Sequence, residues 1–195
     1  MDLLLVICQG IGLATAAGIR PYLPAMLAGA MGSSGAGLDF GGTHFAFLQS
    51  PAWLIAVVAA LAATVGYERR RPGAFDAGTL GACLAGVSIG VGALLFAGSL
   101  DDTYDMWWPG LPAGLACAAL ANAAARGFFT RASRRLDPDA RSALAVYRDG
   151  ASLLVAVLAI VAPPAGVVAL LALGWLYWRG RGRDDEKYAG LRVLR

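Results

Sequence analysis

Apolar residues in this chain come in long runs, without the polar positions that would give a helix or strand a wet face. A helix of a soluble domain needs such a face. A segment surrounded by hydrocarbon does not, and about 20 apolar residues carry it across roughly 30 Å. Six stretches fit: residues 3–19, with apolar character resuming to 31, then 51–68, 77–100, 109–130, 142–161 and 164–179. They predict an all-α, polytopic transmembrane helix bundle of about six spans, because lipid leaves backbone groups no partner outside their own helix. Pro21 and Pro24 predict a break in the first helix. Pro163-Pro164 predicts a tight hairpin between the last two spans; one long kinked helix over 150–178 would leave five. Residues 1–180 form a single transmembrane domain on this reading, and 181–195 a basic cytoplasmic tail.

Charge sharpens the picture. Only 15% of the 195 residues are charged and 58% are hydrophobic, against about a quarter charged in soluble domains; the mean hydropathy is +0.62. Of the 16 Lys and Arg, all but Arg20 and Arg148 follow the second, fourth or sixth stretch, at 69–71, 126–141 and 179–195. The loops after the first, third and fifth stretches hold none, and carry Asp39, Asp101, Asp102 and Asp105. Under the positive-inside rule every basic segment is cytoplasmic, so six spans put both termini in the cytoplasm. Asp2 and the absence of Lys or Arg before the first run argue against a cleavable signal and for a retained span. A pI near 9.0 is explained by this bias, and nucleic acid is not an expected partner. The expected partners are the bilayer, anionic lipid at the basic segments, and a second copy of the chain. Opposite orientation of the two halves would also suit an inverted three-plus-three repeat.

The sharpest candidate for chemistry is Arg20, in GIRPYLPAMLAG. A charge at the bilayer centre costs about 2.5–3.5 kcal/mol on insertion scales, so such a residue usually faces a bundle interior or a watery cavity. Gln9, Gly12 and Ala16 share its helical face, and a chain broken at Pro21 and Pro24 frees carbonyls and amides for a solute. A pathway lined by Gln9, Arg20, Pro21, Tyr22, Pro24 and Asn122 is one reading; an interior ion pair, or Arg20 snorkelling to the outer headgroups, are the others. Asn122 and Arg126 share a face with Gly110, Gly114 and Ala118, a close-packed seam with a polar end. Glu68, Asp76, Arg148 and Asp149 fall near cytoplasmic ends and suit a gate, an ion pair or helix caps. Gly78, Ala82, Gly86 and Gly90 recur every four residues, a helix-packing face within the bundle or between subunits.

Cys8, Cys83 and Cys117 lie in apolar runs without metal spacing and are expected to be small buried residues. His44 is the only histidine, which excludes sites built on two or more; no metal or cofactor is expected. The Gly runs lack the Lys of a phosphate loop, and Ser33, Ser34 and Ser50 lack His and Asp partners, so no enzyme is expected.

GLATAAGIRPYLPAMLAG, GGTHFAFLQSPAWLIAV, YERRRPGAFDAG and the terminal KYAGLRVLR together make the chain resemble the bacterial membrane family catalogued as domain of unknown function 4126. The junction after the second span is reduced here to Glu68, the arginines and Asp76, and DPDARSALAVYRDG matches loosely. The resemblance implies the fold and a membrane location, and brings no activity. Function is then expected to be a transporter or channel for a small, anionic solute, with a non-transporting scaffold or accessory subunit and a lipid-handling protein as alternatives.

Overall fold

The computed structural model describes residues 2–35, 38–71, 75, 78–133 and 138–189, with side chains up to 133 and again over 143–179. Asp76 and the side chains of the basic tail lie outside the described residues. Among those described the protein is all-helical: α1 (Leu3–Ile19), α2 (Tyr22–Ser34), a 3₁₀ turn (Ala46–Gln49), α3 (Pro51–Arg70), α4 (Gly78–Tyr104), α5 (Gly110–Ser133), α6 (Pro138–Val161) and α7 (Pro164–Ala189). α3, α4 and Ala143–Val161 of α6 are long and apolar enough to cross a membrane, and α1 is a shorter apolar helix. Their outward faces carry Leu4, Ile55, Val87, Val146, Leu154 and Val161, all exposed. Such a surface suits lipid, where apolar groups need no cover.

α1 stops at Arg20 because a residue before proline is pushed out of the helical region. Arg20 is extended (φ −150°, ψ 129°), while Pro21 already has helical angles and opens α2. Pro24 falls in the first turn of α2, where the missing amide costs nothing. The break is therefore at Arg20-Pro21, and Pro24 does not contribute a second one.

With 13 residues, α2 is about 20 Å long at 1.5 Å per residue. It ends at Gly35, whose left-handed φ of 66° closes the helix as few other residues can. The chain continues through a loop that seats Phe40, fully buried, against Gly32 and Gly98. Gln49 holds that loop by accepting the Phe40 amide at 3.2 Å. Ser50 then caps α3, accepting from the Trp53 amide, with Pro51 in the first turn.

α1 is the centre of the bundle and packs on α4, α5, α6 and α7. Close approaches give the directions. Gly92 of α4 meets Ala14, and Gly10 of α1 meets Phe96 and Ser99, so these two helices are antiparallel. Gly114 meets Ala93, and Gly110 meets Ala97, so α5 runs with α1. Gly12 touches both Ala159 and Gly166, which places α6 and α7 as a hairpin turned at Pro163-Pro164, as the two prolines predict.

One expectation fails here. A single span through residues 3–31 would put the start of the chain at the end that holds Arg69, Arg70 and Arg126. The fold-back at Arg20-Pro21 instead puts the start of α1 at the opposite end, level with Ser99 of α4 and with the turn at Pro163. Asp2 and the far end of α7 therefore lie at opposite ends of the bundle, not at the same one. There are seven helices among the described residues, and α2 is additional to the six apolar stretches. α7 also runs on to Ala189, past the expected boundary at 180.

Candidate functional site

Where α1 ends, its last carbonyls have no partner within the helix. Side chains from two distant helices supply most of what is missing. Asn122 of α5 donates Nδ2–H to the Gly18 carbonyl at 2.9 Å. Arg148 of α6 donates Nε–H to the Ile19 carbonyl at 3.2 Å. Ser152, one turn further along α6, has Oγ 2.9 Å from the Ala16 carbonyl and 3.1 Å from that of Arg20, and shares its hydrogen between them. Most of the carbonyls that the break frees are thus met by the protein's own side chains.

Arg20 itself is only 4% exposed. Its Nη2 donates to Glu68 Oε2 at 2.9 Å, and Nε lies 3.0 Å from Asp149 Oδ1. The second contact is an ion pair without hydrogen-bond alignment. The two carboxylates come from different helices, α3 and α6, and their side chains are 23% and 26% exposed. With Arg148 the set holds two cations and two anions, so its formal charge is zero. A cation–π contact, with Arg148 Cζ 5.6 Å from the Phe129 ring centroid, ties α5 to the same place. Arg20 is therefore an interior ion-pair partner, at the end of the bundle that carries Arg69 and Arg70. It does not snorkel to the opposite headgroups.

Several expected site residues gather here and others do not. Arg20, Glu68, Arg148, Asp149 and Asn122 come together. Pro21 and Pro24 are fully buried beneath them, and Tyr22 packs on the main core. Gln9 is buried, but eleven positions before Arg20 it is three turns away and belongs to the middle of α1. Ser152 was not foreseen; a serine in an apolar run gives no sign of the carbonyls it will meet 132 and 136 residues earlier.

The two small-residue faces separate. Gly110, Gly114, Ala118 and Asn122 are all buried against α1 and α4, as that seam predicts. The face of Gly78, Ala82, Gly86 and Gly90 points away from the bundle, and a Cβ added at Gly86 or Gly90 would meet nothing within 4 Å. In this first half of α4 the residues that turn inward are Gly81, Leu84, Ser88, Val91 and Gly92. Cys83 sits on the outward side and is exposed, against expectation; Cys8 and Cys117 are half-buried, and all three thiols are free.

At the opposite end, the acidic loops also converge. His44 Nδ1 lies 3.1 Å from Asp101 Oδ2, which accepts the His44 amide as well, and Asp105 lies close by.

No curated protein and no solved structure matches the chain. The family model described as a domain of unknown function, DUF4126, matches residues 7–182. With nearly the whole bundle inside that match, the chain belongs to this family, and its apolar helices are those of a membrane protein.

Proposed function

We propose that the protein is a small transporter in which Arg20, Glu68 and Asp149 form an ion-pair gate. The supporting observation is a buried arginine at a helix break, held by carboxylates of two other helices. Intramembrane charge is expensive and is kept where it works, and discontinuous helices mark the moving parts of transporters. α3 is the mobile candidate. It packs on α2 and the 3₁₀ turn, has only Val57 and Thr64 buried, and reaches Arg20 through Glu68. A small anion arriving at Arg20 competes with Glu68, and its success frees the end of α3.

The same proposal fixes an orientation. The positive-inside rule makes the end with Arg69, Arg70, Arg126 and Arg131 cytoplasmic. The gate then faces the cytoplasm, the start of α1 lies outside, and the far end of α7 lies inside a bacterial cytoplasmic membrane. Anionic lipid binds at the basic end, and the chain works without catalysing a reaction. The exposed face of Gly78, Ala82 and Gly86 favours a second reading, a scaffold that joins another copy of itself through this stripe. A lipid-handling role fits less well, because Arg20 is turned inward and not toward a lateral groove.

Flux in proteoliposomes, over a panel of inorganic anions and small organic acids, tests the gate. Wild-type flux that changes in Glu68→Gln supports transport. Folded, oriented protein that moves no solute overturns it in favour of the scaffold.

A further inference from the structure

We propose that His44, Asp101 and Asp105 bind a divalent cation of the zinc type at the acidic end of the bundle, far from Arg20. One donor atom from each residue lies within 4.8 Å of the other two. Asp101 comes from the last turns of α4 and Asp105 follows that helix directly, while His44 comes from the loop before the 3₁₀ turn. The loop is fixed against α4 by the buried Phe40 on Gly98 and by the His44 amide, which donates to Asp101 Oδ2 at 2.8 Å. The donors are therefore held by packing and not by each other alone.

Asp101 is the observation that asks for a ligand. Its side chain is 1% exposed, and its Oδ1 has no hydrogen-bond partner among the described residues. A buried carboxylate oxygen left unpaired is costly. A hydrogen bond between the imidazole and Asp101 would satisfy Oδ2 alone and would give neither Oδ1 nor Asp105 a task. A cation held by both oxygens of Asp101 would give all three a role. Two donors on one metal at about 2.0–2.2 Å, subtending 90–110°, lie roughly 3–3.5 Å apart; His44 Nδ1 and Asp101 Oδ2 are 3.1 Å apart. Asp105 must approach slightly to join them, and its exposed side chain is free to do so.

The surroundings favour a cation. The stretches 21–68 and 72–125 hold no Lys or Arg, and the Asp39 amide meets the carboxylate of Asp102 beside the cluster. One imidazole with two carboxylates selects a borderline ion such as Zn²⁺ over Mg²⁺ or Ca²⁺, which prefer oxygen alone. Three protein donors leave a fourth position for water or for a ligand in passage. The single histidine rules out the familiar sites with several, and this donor set does not need them.

The test uses tag-free, full-length protein in micelles, stripped with a chelator and titrated with Zn²⁺ against a chromogenic competitor. Co²⁺ serves as an optical probe of the same donors. One Zn²⁺ per chain is expected, weakened by about tenfold or more in both His44→Ala and Asp105→Asn, with loss of the Co²⁺ spectrum. Both side chains are exposed, and Asn tolerates the left-handed φ of 52° at position 105, so folding persists and far-UV dichroism verifies it. No Zn²⁺ uptake by folded wild type, or uptake unchanged in both variants, overturns the site. Neither result touches the gate, whose residues lie at the other end.

Discussion

Replacing Arg20 with alanine removes the cation that two carboxylates share, and the structure gives the size of the effect. Breaking a buried pair by deleting one partner costs about 3–5 kcal/mol, because the other partner is left charged and uncompensated. Here two partners are left, but Glu68 and Asp149 are 23% and 26% exposed, so water recovers part of the loss and the low end, about 3 kcal/mol, is expected. Glu68→Gln is a different perturbation. Arg20 keeps Asp149 at 3.0 Å, the amide oxygen still accepts, and the cost is about 1 kcal/mol. The double variant should cost less than the sum, since the groups form one network. Unfolding by denaturing detergent in mixed micelles, followed by helicity, measures all three. An Arg20→Ala protein within about 0.5 kcal/mol of wild type, or a Glu68→Gln protein as unstable as Arg20→Ala, would refute the account of Arg20 as the hub.

Three further outcomes are expected. Ser152→Ala should lose about 0.5–1.5 kcal/mol through the uncapped end of α1, whereas Ser88→Ala should be nearly silent, its Oγ bonding only the Leu84 carbonyl of its own helix; equal effects would deny Ser152 its capping role. Gly18→Ala should destabilise by about 3 kcal/mol, since the new methyl overlaps the Ala118 carbonyl. Gly86→Ala should stabilise by about 0.5–1 kcal/mol, with open space beside it; the reverse order in the same unfolding assay would contradict the packing described. With the native cysteines replaced, a single cysteine at position 2 should react with an impermeant maleimide in intact cells and one at position 71 only after the membrane is permeabilised; the same accessibility at both positions would sink the proposed orientation.

Much of the fold is legible in the sequence because proline and charge act locally. Arg20 stands before Pro21, and that alone predicts an extended residue and a helix end. Pro163-Pro164 likewise marks the α6–α7 turn. The seam of Gly110, Gly114, Ala118 and Asn122 follows from four-residue spacing, and so does its polar end. The same spacing misleads at Gly78, Ala82, Gly86 and Gly90, since periodicity shows that a face exists and not which neighbour it meets. The sidedness of α1 was hidden for a related reason: 3–31 holds apolar residues enough for one kinked span or two short antiparallel helices. Asp2, with no basic residue near it, agrees with the proposed orientation, in which that end lies away from the basic segments. The partners of Arg20 were nominated as a gate, but which carboxylates meet it depends on tertiary contacts 48 and 129 residues away in sequence. His44 and Asp101 are 57 residues apart, and in the sequence one stands only as a lone histidine and the other as an acidic loop charge.

The capped end of α1 also dictates an order of events as the chain enters the bilayer. Its carbonyls wait for Asn122, Arg148 and Ser152, which are made 104 to 136 residues later. Until α5 and α6 arrive, the corner at Arg20 must stay close to water, and Arg20 has only Glu68 to neutralise it. A nascent chain halted before α6 therefore holds its first helix provisionally, with the corner still wet. A helix made early thus becomes among the last to reach its final depth.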